Sequence, residues 1–266
     1  MLAKDLARQI VVISCFCFMI IAAMVGTGLF GGTPVQDLQN GALDADGSYL
    51  APARQAFSIW TVIYVGLLAY TVWQALPSQR ERPRQRALGW LIAGTMVLNG
   101  AWLLTAQFLT LPLTVLAIVL LLALLGYTFH RVVSEPGKGW GDAFLIDGVT
   151  GLHLGWVTLA TVANTTAWLT TILPADAADS ATLWGIVVLA VVAVVGVAIA
   201  WASEWRIAPG LAMGWGLLWI GVGRLTGEPS STAIGVTALI VAAIVVIVPL
   251  AGAVLHRAAD IRNSET

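Results

Sequence analysis

Charge is what this sequence has least of. Lys and Arg number 13 and Asp and Glu 14 among 266 residues, so charged types make up 10% of the chain, against roughly 25% in ordinary soluble domains. A net charge of −1 supplies no basic face for nucleic acid. Cysteine is nearly absent too: Cys15 and Cys17 stand two positions apart in an apolar run. On a helix that spacing points the two thiols in different directions, so they are expected neither to bridge nor to share a metal ion. No stretch pairs a nucleophile with a base or groups metal ligands, so no catalytic or metal residue is assigned and an enzyme is not expected.

What fills the chain is apolar side chain, 59% of all residues. Leu111–His130 and Thr182–Ser203 contain no Asp, Glu, Lys or Arg. Each is about as long as the roughly 20 residues that cross a bilayer. Such runs suit lipid, where every backbone polar group has to be satisfied within the helix. The sequence therefore predicts an all-α polytopic membrane bundle. Eight spans are expected at about 10–31, 57–76, 88–108, 112–133, 143–172, 182–203, 209–225 and 232–255. Lys4 and Arg8 resemble the start of a secretory signal, but Ile10–Phe30 outruns a signal's apolar core and reads as a retained first helix.

Basic residues collect on the cytoplasmic side of membrane proteins. With eight spans and the N-terminus inside, Lys4, Arg8, Arg80, Arg82, Arg84, Arg86, Arg131, Lys138, Arg206, Arg257 and Arg262 fall inside, and Arg54 and Arg224 outside. The expected setting is the inner membrane with both termini cytoplasmic. The Arg80–Arg86 block reads as a solvated stop-transfer anchor. The segment Gly31–Ala56 is the one long outer loop, rich in turn formers and holding Asp37, Asp44 and Asp46; loops that long usually have a function or lack order. Pro174–Ser180 reads as an outer turn between two helical units, 1–173 and 174–266.

Polar side chains at membrane depth face protein, a cavity or a ligand. Trp60, Tyr64, Leu67, Thr71 and Gln74 share one face of the second span. Thr95, Asn99, Trp102 and Ala106 share a face of the third, and His153, Val157, Ala160, Asn164 and Trp168 a face of the fifth. Span directions bring Trp60, Tyr64, Asn99, Trp102, Asn164 and Trp168 to one level beneath the long loop. The stripes fit either helix–helix packing or the wall of a pocket. His153 and Asp147, six apart, lie on different faces; Asp147 is expected to be hydrated near the inner interface and His153 to be a core residue, rather than the two forming a proton relay. Gly151–Gly155 and Gly210–Gly214 are small-xxx-small pairs that let helices approach closely, in this chain or a second copy.

Three segments carry a family resemblance: Phe57-Ser58-Ile59-Trp60-Thr61-Val62-Ile63-Tyr64, Asn99-Gly100-Ala101-Trp102, and Trp156-Val157 through Asn164 to Trp168. In that order they resemble the tryptophan-rich sensory protein family, bacterial relatives of the mitochondrial translocator protein or peripheral benzodiazepine receptor. The resemblance spans about residues 10–172. It implies a five-helix bundle, often dimeric, that binds porphyrins and other flat apolar ligands under its first loop. The matching pocket positions are Trp60, Tyr64, Asn99, Trp102, Trp156, Asn164 and Trp168. A tetrapyrrole is thus an expected ligand rather than a required cofactor, and porphyrin photobreakdown the one enzymatic activity the family suggests.

The chain also departs from the pattern. Residues 31–56 hold no tryptophan, only Pro52 and Phe57 fitting the family's first loop, and Leu152-His153 replaces a Pro-Tyr pair. The stretch after the fifth helix lacks the tyrosine and basic residue of a sterol motif. Spans six to eight exceed a five-helix core and are expected to form an extension, one role for which is to cover a dimer face. The functional expectation is a membrane sensor or binding protein for a flat apolar ligand; the alternatives are a transporter and an accessory subunit of a membrane complex.

Overall fold

The structure, a computed structural model, describes residues 2–264. Among them are eight α-helices: α1 (Leu2–Gly26), α2 (Ile59–Ala75), α3 (Pro83–Phe108), α4 (Leu111–Ser134), α5 (Val149–Ile172), α6 (Ala181–Ala202), α7 (Ala208–Thr226) and α8 (Thr232–Ser264). A π-helical stretch, Asp142–Gly148, leads directly into α5, so the long fifth span is one continuous rod. No β-strand occurs among the described residues. Seven of the helices, all but α7, are long and apolar enough to cross a membrane.

The exception has a packing reason. α7 lies between α5 and α8, and Gly210, Gly214, Gly216, Gly221 and Gly223 are all buried along it. A helix covered on two sides by protein needs fewer large lipid-facing side chains. Both small-residue pairs serve this sandwich within one chain. A Cβ on Gly155 would lie 2.1 Å from the Pro209 carbonyl oxygen, and one on Gly210 would lie 2.2 Å from that of Val245. Only hydrogen in place of a side chain permits these two crossings.

The first five helices close a ring: α1 packs against α2 and α3, α3 against α4, α4 against α5, and α5 back against α2. α7 lies along the outside of α5, α8 along α7, and α6 against α8 and α7. The two halves share walls rather than meeting through a linker: Ala212, Trp215 and Trp219 of α7 pack into the cluster built mainly by α1–α5. The polar stripes point inward. Leu67, Thr71, Gln74, Thr95, Asn99, Ala106, His153, Val157 and Asn164 are buried. Buried threonines return their hydroxyl protons to the preceding turn, as Thr95 does to the Ile92 carbonyl (2.7 Å) and Thr158 to that of Leu154 (2.8 Å), which satisfies them without a partner helix.

The end of the bundle opposite the long loop differs from the solvated anchor expected of the Arg80–Arg86 block. Arg84 is buried, donates to the Glu135 carbonyl at 2.7 Å and pairs with Asp147. Arg82 pairs with the buried Asp142 at 2.5 Å, and Arg86 with Asp5 at 2.6 Å. Asp147 also takes Arg206 from the α6–α7 connection. The arginines thus cross-link several connections, since an unpaired buried charge would be costly. Cys15 and Cys17 are free thiols, half-buried and exposed respectively.

Candidate functional site

Beneath the long loop lies a cavity of about 500 Å³, within the roughly 300–1,000 Å³ typical of small-molecule sites. Its walls come from α1, α2, α3 and α5, and its roof from the 27–58 segment. The space arises from side-chain size. Ala160, Ala163 and Ala167 line it along α5, and Ala23 and Gly26 face it from α1. Trp60, Tyr64, Trp102, Trp156 and Phe57 supply the large flat surfaces around that gap. Small residues make the room and aromatic ones set its shape.

Five of the seven residues singled out from the sequence line this space: Trp60, Tyr64, Trp102, Trp156 and Asn164. Trp156, which the level argument left out, lines it too. Eight residues below Asn164 on α5, it lies about 12 Å further down at 1.5 Å per residue. Its ring meets Phe57 and Trp60 edge-on, with centroids 5.7 and 6.1 Å apart. It is 2% exposed, and its Nε1–H has no hydrogen-bond partner. The other two residues stand off the wall. Asn99 is fully buried behind Tyr64 and donates from Nδ2 to the Tyr64 hydroxyl at 3.3 Å. Trp168 is half-buried and falls just past the lining face of α5, which follows Trp156, Ala160, Ala163 and Ala167.

The polar groups hold rings in place. Trp102 donates from Nε1 to Asn164 Oδ1 at 2.8 Å, and Asn164 Nδ2 donates to Thr114 Oγ1 at 2.8 Å. Both ends of the Asn164 carboxamide are therefore engaged within the protein, and its role is to fix the indole of Trp102. Trp60 stacks on Tyr64, with centroids 5.2 Å apart and planes 29° from parallel, and meets His153 edge-on at 5.8 Å. His153 is 1% exposed and its Nε2 is without a partner.

The roof is ordered, and sequence reasoning missed what orders it. Pro34, Val35, Ala42, Leu43, Asp44, Ala51 and Pro52 face the cavity. Arg54 grips Asp44 with two hydrogen bonds, 2.9 Å from Nε and 2.5 Å from Nη2, and holds that carboxyl below the usual carboxylate range. Gln39 Nε2 donates to the Leu109 carbonyl at 2.9 Å. The remaining ties come from α7. Arg224 donates to the carbonyls of Ser48 (3.0 Å) and Ala45 (2.8 Å), Trp215 Nε1 to that of Ala56 (2.9 Å), and the Trp219 carbonyl accepts from Ala53 N–H (3.2 Å). The sequence did carry one signal: Arg54 and Arg224 were the two basic residues assigned to the loop side, and both hold the loop.

Comparison with known proteins matches the family model described as TSPO-like protein over residues 8–251. The match runs through α6 and α7 into α8, well past the segments that carry the motif resemblance. Searches of curated proteins and of solved structures return no match. A cavity walled by the resembling motifs agrees with a family match across nearly the whole chain, and the protein is a multi-pass helical membrane protein that belongs to the TSPO-like family.

Proposed function

We propose that this protein is a membrane sensor or binding protein that takes a flat apolar ligand, a porphyrin or other tetrapyrrole, into the cavity under its long loop. The observation that carries this reading is the enclosure itself: about 500 Å³ bounded by Trp60, Tyr64, Trp102 and Trp156 under a fixed roof. Indole and phenol rings at a wall favour a planar conjugated molecule through offset or edge contacts. Asn99 and Asn164, whose carboxamides bond to Tyr64, Trp102 and Thr114, act by placing those side chains.

The test is titration of the purified protein with protoporphyrin IX, following tryptophan quenching. Saturable quenching that weakens at least tenfold in Trp102→Leu and Trp156→Leu supports the reading. Quenching that is linear, or unmoved by either change, opposes it. Ligand flux across proteoliposomes would instead favour a transporter.

We further propose an inner-membrane location with both termini on the cytoplasmic face, supported by the asymmetry of basic residues. A C-terminal fluorescent-protein fusion should then fluoresce, while an alkaline phosphatase fusion at the same point should be inactive. The opposite pair of results would reverse the orientation.

A further inference from the structure

α7 touches the roof of the cavity at three points along its length, and each contact has the form of a fastening. Arg224 is 2% exposed. Its guanidinium is spent on main-chain carbonyls: Nη1 on Ser48, and Nη2 on Ala45 and, at 3.1 Å, on Glu228 of its own connection. One turn and more before it, the Trp219 carbonyl accepts from the Ala53 amide, and a further turn back the Trp215 indole donates to the Ala56 carbonyl. The roof residues so held, 45–56, include or adjoin Asp44, Ala51, Pro52 and Phe57, which face the cavity. A loop of such length, held only by its ends, would sample many conformations at little cost. A buried charged donor on two roof carbonyls, Ser48 and Ala45, removes that freedom.

We infer that α7 is the latch of the ligand site: Arg224 and Trp215 are positioning residues that hold the 45–56 segment closed over the cavity and so set how fast a ligand enters and leaves. This gives α6–α8 a role in binding itself. α7 is fastened to the core at its other end as well, where Arg206 pairs with Asp147 and Gly155 admits Pro209, so the roof is referred to a rigid support. The inference rests on the ligand reading above for its consequence, while its mechanical content, that α7 keeps the roof shut, is testable without a ligand.

The experiment uses the full chain in nanodiscs, with Cys15→Ser and Cys17→Ser, and a reporter thiol introduced by Ala42→Cys on the cavity side of the roof. Labelling by a charged maleimide should be slow in that background and at least tenfold faster with Arg224→Gln. Arg224→Lys, which keeps the charge but reaches fewer carbonyls, should fall between. Trp215→Phe keeps an aromatic ring at the position while it removes the donor to Ala56, a milder change than loss of Arg224; it should accelerate labelling severalfold. In stopped-flow quenching with protoporphyrin IX, the same changes should raise the association and dissociation rate constants together. Unaltered labelling in both Arg224→Gln and Trp215→Phe overturns the latch. So does a loss of binding amplitude with unchanged rate constants, which is the mark of a merely structural residue. If labelling accelerates as stated but the parent protein binds no porphyrin, the latch stands and the ligand reading falls.

Discussion

The indole of Trp102 on α3 and the carboxamide of Asn164 on α5 meet at 2.8 Å, Nε1 donating to Oδ1, beside the cavity they both line. The bond joins two helices that are not ring neighbours, since α4 stands between them, and Thr114 of α4 completes the bridge. It fixes the plane of one wall.

Replacing Asn164 with Leu should therefore act on binding more than on the fold. Hydrogen bonds between membrane helices contribute about 0.6 kcal/mol on average and up to about 1.7, so the expected loss of stability is about 1 kcal/mol. Protoporphyrin affinity should fall about tenfold as the Trp102 ring loses its fixed orientation, an order of magnitude equivalent to about 1.4 kcal/mol. Unfolding in mixed detergent and quenching titrations measure the two effects separately. A large stability loss with unchanged affinity would assign Asn164 to packing.

Gly155→Ala tests the seam between α5 and α7. The added methyl would meet the Pro209 backbone at 2.1 Å from its oxygen and 2.8 Å from its Cα, and backbone cannot swing aside as a long side chain can. Overpacking of this kind costs about 1–3 kcal/mol. Thermal unfolding should drop accordingly. Gly126→Ala, at a position with nothing within 4 Å of the added atom, should be neutral by the same measurement.

His153→Leu is expected to leave stability unchanged or to raise it. The imidazole is buried with Nε2 lacking a partner, and an unmet buried polar group costs about 1–3 kcal/mol. Leucine removes that cost at similar size, while the edge contact with Trp60 is lost. A clear fall in unfolding temperature would show that the ring does more than fill space.

The clamp between Arg54 and Asp44 predicts a pH response. Asp44 has its carboxyl held below the ordinary 3.8 by the hydrogen bonds from Arg54. A depressed carboxyl stabilises the closed loop at all pH above its unfolded value, and this contribution disappears as pH falls through the lower folded value. Labelling of the roof thiol, divided by that of a free thiol at the same pH so that the thiolate fraction cancels, should thus be flat from about pH 5 upward and should rise only below about pH 4, near the ordinary aspartate range. Asp44→Asn should abolish that acid step. A step near neutrality would show that some other group controls the roof.

Much of the architecture was legible because lipid imposes a simple rule on sequence. Uncharged runs of about twenty residues become helices, and all eight expected spans appear as helices at nearly the expected places. The stripes Trp60–Tyr64, Asn99–Trp102 and His153–Asn164 turned inward as their spacing required, because polar groups are excluded from the lipid face. Spacing failed where a stripe had to be told from its neighbour. Trp168 shares a face with Asn164 by count, yet the lining face of α5 is the adjacent one, marked by alanines that carry no obvious signal. The burial of Arg84 with Asp147, 63 residues away, was equally out of reach.

The sequence by itself determined that this chain is a bundle of membrane helices, which residues turn away from lipid, and which family its motifs resemble. Hydrophobicity and helical period are local properties, and those conclusions need nothing more. Only the tertiary structure decided that the alanine face of α5 leaves a cavity, that Asn164 serves Trp102, and that Arg224 of α7 reaches back 176 residues to the Ser48 carbonyl. Such contacts depend on which helices become neighbours and at what rotation, and that is settled by the packing of the whole bundle.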